Sequence, residues 1–257
     1  MTLPVVLVHG GAHGGWCWAP TTERMTAPTL AVDLPPVSVR GGPRRYVDVA
    51  ELRTLTVTDF ATAVLDAADT VGFPRFVLVG HSLAGITIPE VARRAPERVA
   101  HLVFLACSVP PEGGSILDCL DGEVAAMART NLARQLAAPV GADVAPMDEA
   151  TARAMFGTDL DEPTMRFVLD RLGAEVMSVM DESVTRSGLD PAIPKTWVRT
   201  LRDAVVEVDK QDRFVANLEA VPGGPVTVVD LDTGHDAMLA WPDGLAAVLD
   251  GIAAAAG

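Results

Sequence analysis

The chain has 257 residues, 49% of them hydrophobic and 21% charged, with a formal net charge of −14. That length and apolar content suit one α/β domain with a large core and room for an insertion. The acidity makes nucleic acid and anionic membranes poor partners, no apolar run reaches bilayer-spanning length, and the three cysteines lack the spacing of a metal site or disulfide framework. The N-terminus has no basic segment and enters a strand at once, so no signal peptide and a cytoplasmic location are expected.

Residues 4–8 are a short apolar run and read as the first strand. They lead into His9-Gly10-Gly11-Ala12-His13-Gly14-Gly15-Trp16-Cys17-Trp18. Four glycines there let the backbone approach a ligand and aim N–H groups at a developing negative charge. Their spacing does not match the dinucleotide fingerprint. A helix over 18–25 and a strand over 29–32 follow. Residues 37–49 form a Gly/Pro/Arg-rich loop, expected at the substrate face. Apolar residues at helical spacing predict a helix over 54–71, which Gly72-Phe73-Pro74 ends.

Residues 76–79 read as a buried parallel strand and 86–94 as a helix. Between them, Gly80-His81-Ser82-Leu83-Ala84-Gly85 has the form of a strand-to-helix nucleophile elbow. Its second glycine sits one place later than usual, with Ala84 in the usual position. The competing role for Ser82 is a plain helix N-cap. Residues 99–106 add another strand. This alternation predicts an α/β fold with a doubly wound, mainly parallel sheet, its ligands at the carboxyl ends of the strands.

Residues 109–193 break the rhythm and read as a helical cap, so that 1–108 and 194–257 form the core. Methionines in the cap, Met127 and Met155 among them, are candidates for an adaptable apolar pocket, against the commoner role of core filler. The sheet resumes at 196–200, followed by Leu201-Arg202-Asp203. A helix over 208–221, a strand over 225–231, the loop Asp232-Thr233-Gly234-His235 and a helix over 242–255 complete the chain.

Ser82, Asp203 and His235 each fall just past a strand, in the chain order Ser, acid, His. A serine needs a base to take its proton, and the base needs an acid to hold its tautomer. Glu207, Asp209, Asp230 and Asp232 are rivals to Asp203 for the acid. This constellation predicts hydrolysis of a carboxylic ester through an acyl-serine, with a small-molecule ester or lactone as partner and no metal or cofactor.

These motifs, with Leu105-Ala106-Cys107-Ser108-Val109-Pro110 and Gly234-His235-Asp236-Ala237-Met238-Leu239, resemble the α/β-hydrolase superfamily. Within it the chain resembles the plant methylesterase and hydroxynitrile lyase family and its bacterial esterase-like relatives. The resemblance implies oxyanion-hole donors at the N–H groups of Ala12 and Leu83, and a helical cap over the serine. Gly11, His13, Trp16 and Cys107 join Met127 and Met155 as candidate substrate contacts. Lyases of that family carry a lysine after the catalytic histidine and a threonine in the first loop. This chain has Asp236, whose negative charge would oppose a cyanide anion, and Gly11 there, which disfavours lyase activity; the apolar cap favours a methyl or aryl ester or lactone of a small to medium hydrophobic acid as substrate. A lyase or cyclase acting on a polyketide-like substrate is one alternative, and a non-catalytic ligand-binding protein is another. A homodimer is among the assemblies the sequence allows.

Overall fold

The computed structural model describes residues 2–36 and 47–257. The expected loop over 37–49 therefore falls mostly outside the described residues. Its last three residues begin a short strand and helix rather than loop.

Eight strands occur among the described residues: β1 (Val5–Val8), β2 (Thr29–Val32), β3 (Val47–Asp48), β4 (Phe76–His81), β5 (Val99–Leu105), β6 (Asp143–Val144), β7 (Lys195–Thr200) and β8 (Val226–Leu231). Six of them form one sheet in the order β2-β1-β4-β5-β7-β8. Every neighbouring pair in it is parallel. The central strands are buried on both faces, as parallel strands covered by helices must be. Alternate residues feed opposite sides. Val6, Val8, Leu78, Leu102, Phe104 and Trp197 join one core cluster. Val5, Leu7, Val77, Val79, Leu105 and Val198 join the other.

The helices are α1 (Ala19–Thr22), α2 (Val49–Arg53), α3 (Val57–Thr70), α4 (Thr87–Arg94), α5 (Gly122–Ala137), α6 (Glu149–Phe156), α7 (Glu162–Leu169), α8 (Met177–Asp181), α9 (Val208–Leu218), α10 (Ala237–Ala240) and α11 (Pro242–Ala255). Helix α3 begins later than its apolar spacing predicts. Thr56 and Asp59 form a reciprocal capping box that fixes its first turn. Its buried face (Phe60, Ala61, Val64, Ala68) joins α4 and α9 on the first side of the sheet. Helix α11 covers the second side through Leu245, Leu249 and Ala253. The helix expected over 18–25 is a 3-10 turn at Gly15–Trp18 followed by the single turn α1.

Residues 109–193 carry α5 to α8, and also β6, which the sequence reading missed. Strand β6 pairs antiparallel with β3 through Val47–Val144 and Asp48–Asp143. Two residues are too few to show a period. The segment largely shares the cores of the sheet. Ala152, Phe156, Met165, Val168 and Leu169 enter the second cluster, and Ala174, Val176 and Val179 enter the first. Among the described residues, Leu117, Leu132 and Met177 form a small cluster apart. Arg186, buried where the segment returns, donates to the carbonyls of Pro110 and Val221, both at 2.9 Å. It ties the segment's ends to the sheet.

Candidate active site

Strand β4 delivers Ser82 at its carboxyl end. Ser82 adopts φ +52°, a left-handed conformation that costs an L-residue energy and is held by its surroundings. Two contacts hold it. The Ser108 N–H donates to the Ser82 carbonyl (3.0 Å), and the bare glycines on either side leave room. A β-carbon at Gly85 would lie 2.3 Å from the Ser108 carbonyl oxygen, and one at Gly80 would lie 2.9 Å from Ile88. The strand-to-helix turn can close this tightly only without those side chains.

The loop after β1 faces the elbow. A β-carbon at Gly10 would lie 2.8 Å from that of Ser82, so glycine permits the close approach. Ala12 is also left-handed, at φ +58°, and its carbonyl accepts from the Gly173 N–H at 2.7 Å. That bond fastens the glycine loop to the stretch following α7. The N–H groups of Ala12 and Leu83 sit on the two backbones that flank Ser82, and both residues are buried.

Strands β7 and β8 deliver the acid and the imidazole. His235 is buried and its Nδ1 donates to Asp203 Oδ2 at 2.8 Å. The same oxygen accepts from the Thr200 hydroxyl at 2.8 Å. The other carboxylate oxygen accepts from the N–H groups of Val205 (2.8 Å) and Val206 (2.9 Å). Burial alone would raise the Asp203 carboxyl's pKa, but His235 and these backbone donors outweigh it and lower it. Burial likewise opposes the His235 imidazolium, yet the charges of Asp203 and Asp236 leave its pKa above the ordinary histidine value. Among the rivals, Asp230 pairs with Arg199 and Asp232 with Arg202 at the surface, while Asp209 lies in the first turn of α9.

Several proposed substrate contacts have other roles. Cys107 is wholly buried, and its thiol donates to the Gly80 carbonyl, so it packs behind the elbow. Met127 is 58% exposed on the outer side of α5, because that helix buries little of its surface. Met155 packs against the second core cluster. His13 is buried: its Nδ1 lies 2.8 Å from the Gly11 carbonyl oxygen and its Nε2 3.2 Å from Asp236 Oδ2. Trp16 stacks on its ring at 5.3 Å. Gly11 has a neighbour the sequence did not suggest. A β-carbon there would lie 2.0 Å from the Glu175 carboxylate, which therefore sits directly over the loop. Glu175 lies between two helices with no local pattern to mark it. Thr200 was also missed, although its place three residues before Asp203 is a usable signal.

Asp236 is fully buried and paired with His13 rather than open to an anion at the surface. His81, His235 and Asp236 place one ligand-type atom each within 4.8 Å of one another. Two of the four imidazole nitrogens are already committed: His235 Nδ1 to Asp203, and His81 Nε2 to the His235 carbonyl (3.1 Å). The arrangement is that of a hydrogen-bonded network rather than an open metal site.

A parallel sheet with an elbow serine and a His–Asp pair at its carboxyl rim is the arrangement of an α/β-hydrolase. The chain belongs to the alpha/beta hydrolase family, whose sequence profile matches residues 5–248. It is similar to the probable esterase PIR7A of Oryza sativa subsp. indica, with 36% identity over 112 residues, or 42% of this chain; it covers only 40% of that relative's own length. Similarity to methylesterase 17 of Arabidopsis thaliana is lower, 21% over 250 residues, but spans 92% of this chain and 86% of the relative. In fold it is similar to an extracellular alpha/beta-hydrolase from a Paenibacillus species, with a TM-score of 0.79, 16% identity, and 96% and 97% of the two chains covered. No described helix is long and apolar enough to cross a membrane.

Proposed function

We propose that this protein hydrolyses a carboxylic ester through an acyl-serine, with Ser82 as nucleophile, His235 as base and Asp203 as the acid that orients it. The observation that carries this reading is the buried 2.8 Å bond from His235 Nδ1 to Asp203. A neutral imidazole that donates at Nδ1 keeps its lone pair at Nε2, the nitrogen needed to take a serine proton. Ser82 attacks the ester carbonyl, and His235 protonates the departing alcohol. It then draws a proton from water, which attacks the acyl group and frees the acid and Ser82. The Ala12 and Leu83 N–H groups serve as oxyanion donors, each contributing about 3 kcal/mol to the transition state.

The segment over 109–193 acts as a cap above the site. Its apolar side chains favour a methyl or aryl ester, or a lactone, of a small to medium hydrophobic acid. The names of the related esterase and methylesterase support the same reaction class. With p-nitrophenyl acetate as substrate, Ser82→Ala is expected to reduce kcat by at least about 10⁴-fold and to abolish labelling by a fluorophosphonate probe. Wild-type turnover by the variant would overturn the reading.

A further inference from the structure

Beneath the base lies a second buried carboxylate that the ester-hydrolysis chemistry does not use. We propose that Asp236, through buried contacts with His13 and His81, is a positioning residue that fixes the His235 loop and stabilises the imidazolium formed during turnover. This rests on the catalytic reading of His235 given above.

Three observations carry the inference. First, Asp236 is completely buried on the residue next to His235. One oxygen accepts from His13 Nε2 at 3.2 Å. The other has no hydrogen-bond partner among the described residues and lies 3.8 Å from His81 Nε2. A carboxylate withdrawn from water in this way is costly unless its field is used or neutralised nearby. Second, His81 Nε2 donates to the His235 carbonyl at 3.1 Å, and its ring lies 4.6 Å from that of His235. The residue preceding the nucleophile thus holds the backbone of the base. Third, both nitrogens of His13 face oxygen acceptors, Gly11 O and Asp236 Oδ2. His13, in turn, is clamped between Trp16 and Phe156. The glycine loop, the elbow and the base loop therefore meet at one carboxylate.

The other titratable or charged groups near His235 and Asp236 come from several elements. Asp203 bonds the imidazole from the turn after β7. Cys17, in the 3-10 turn after the glycine loop, feels the Asp236 charge. Asp159 accepts from the Gly234 N–H at 2.6 Å and lies 3.5 Å from Arg202.

The test is the pH profile of kcat/KM for p-nitrophenyl acetate, with histidine side-chain ¹⁵N spectra of the resting protein as a readout independent of turnover. Asp236→Asn is expected to move the acid limb about one pH unit lower, to lower the alkaline plateau several-fold, and to shift the His81 and His235 side-chain ¹⁵N signals. His13→Leu, which removes the donor that faces Asp236 and leaves the carboxylate's field less offset, is expected to move the limb the opposite way. It keeps the inference testable if Asp236→Asn does not fold. A uniform loss of rate with an unmoved limb in both variants would mean a merely structural role and overturn the inference. That result would leave the hydrolase reading intact, because Ser82→Ala tests it separately.

Discussion

Phe104 in β5 and Phe156 at the end of α6 are both buried, but they reach the interior by different routes. Phe104 lies in a run of apolar residues that can only be a buried strand, and it stacks on Trp197 of β7 with ring centroids 6.0 Å apart. Phe156 belongs to a short helix of mixed composition, whose buried side is set by where α6 lands. It lands on the site, with its ring 4.9 Å from that of His13 and 6.0 Å from that of His235. The sheet is specified by local pattern, whereas the segment over 109–193 is specified by what it touches.

Truncating the two rings sharpens that contrast. Phe104→Ala is expected to cost about 4–5 kcal/mol, near the top of the range for aromatic core truncation, without changing the geometry of the rim. Phe156→Ala is expected to cost about 3 kcal/mol and to lower kcat by a larger factor, since it frees the rings of His13 and His235. Urea unfolding and kcat on a chromogenic ester check both. Because the segment shares the sheet's cores, each variant is expected to unfold in one transition. A separate early transition for 109–193 would break the comparison.

A smaller effect tests the polar end of the sheet. Burial pushes the His81 pKa down to about 3, so the folded protein leaves this imidazole neutral where the unfolded chain, at about 6.5, would protonate it. In that window the unfolded state binds the extra proton, so stability falls as pH drops, by about 1.4 kcal/mol per unit between pH 6.5 and 3. Denaturation followed across pH is expected to show this slope, and His81→Gln is expected to remove it. The smallest effect belongs to the segment's outer face. Met127→Ser is expected to change stability by no more than about 0.5 kcal/mol and to leave kcat unaltered.

The six main strands were legible as short segments between turns and helices, most clearly β1, β4 and β5, whose burial leaves near-continuous apolar runs; their order in the sheet was not. Ser82, Asp203 and His235 were legible because each follows a segment read as a strand, in the chain order serine, acid, histidine, and the bond between Asp203 and His235 joins two of them. Side-chain direction was harder to read. Cys107 and His13 sit in the right loops but turn inward, a matter of a few backbone angles that residue type does not encode. Asp236, expected to set a charge against a bound anion, is instead buried against His13. Glu175 lies in a stretch without periodicity, so nothing in its own neighbourhood announced that it would cover Gly11.

That last pairing constrains sequence change. The Glu175 carboxylate occupies the space a side chain at position 11 would need, but it is the far end of a flexible side chain. A threonine introduced at 11 therefore requires that carboxylate to swing aside or residue 175 to be shorter. Shortening 175 first opens the space, so the easier route from this first loop to one bearing a hydroxyl passes through 175 before 11.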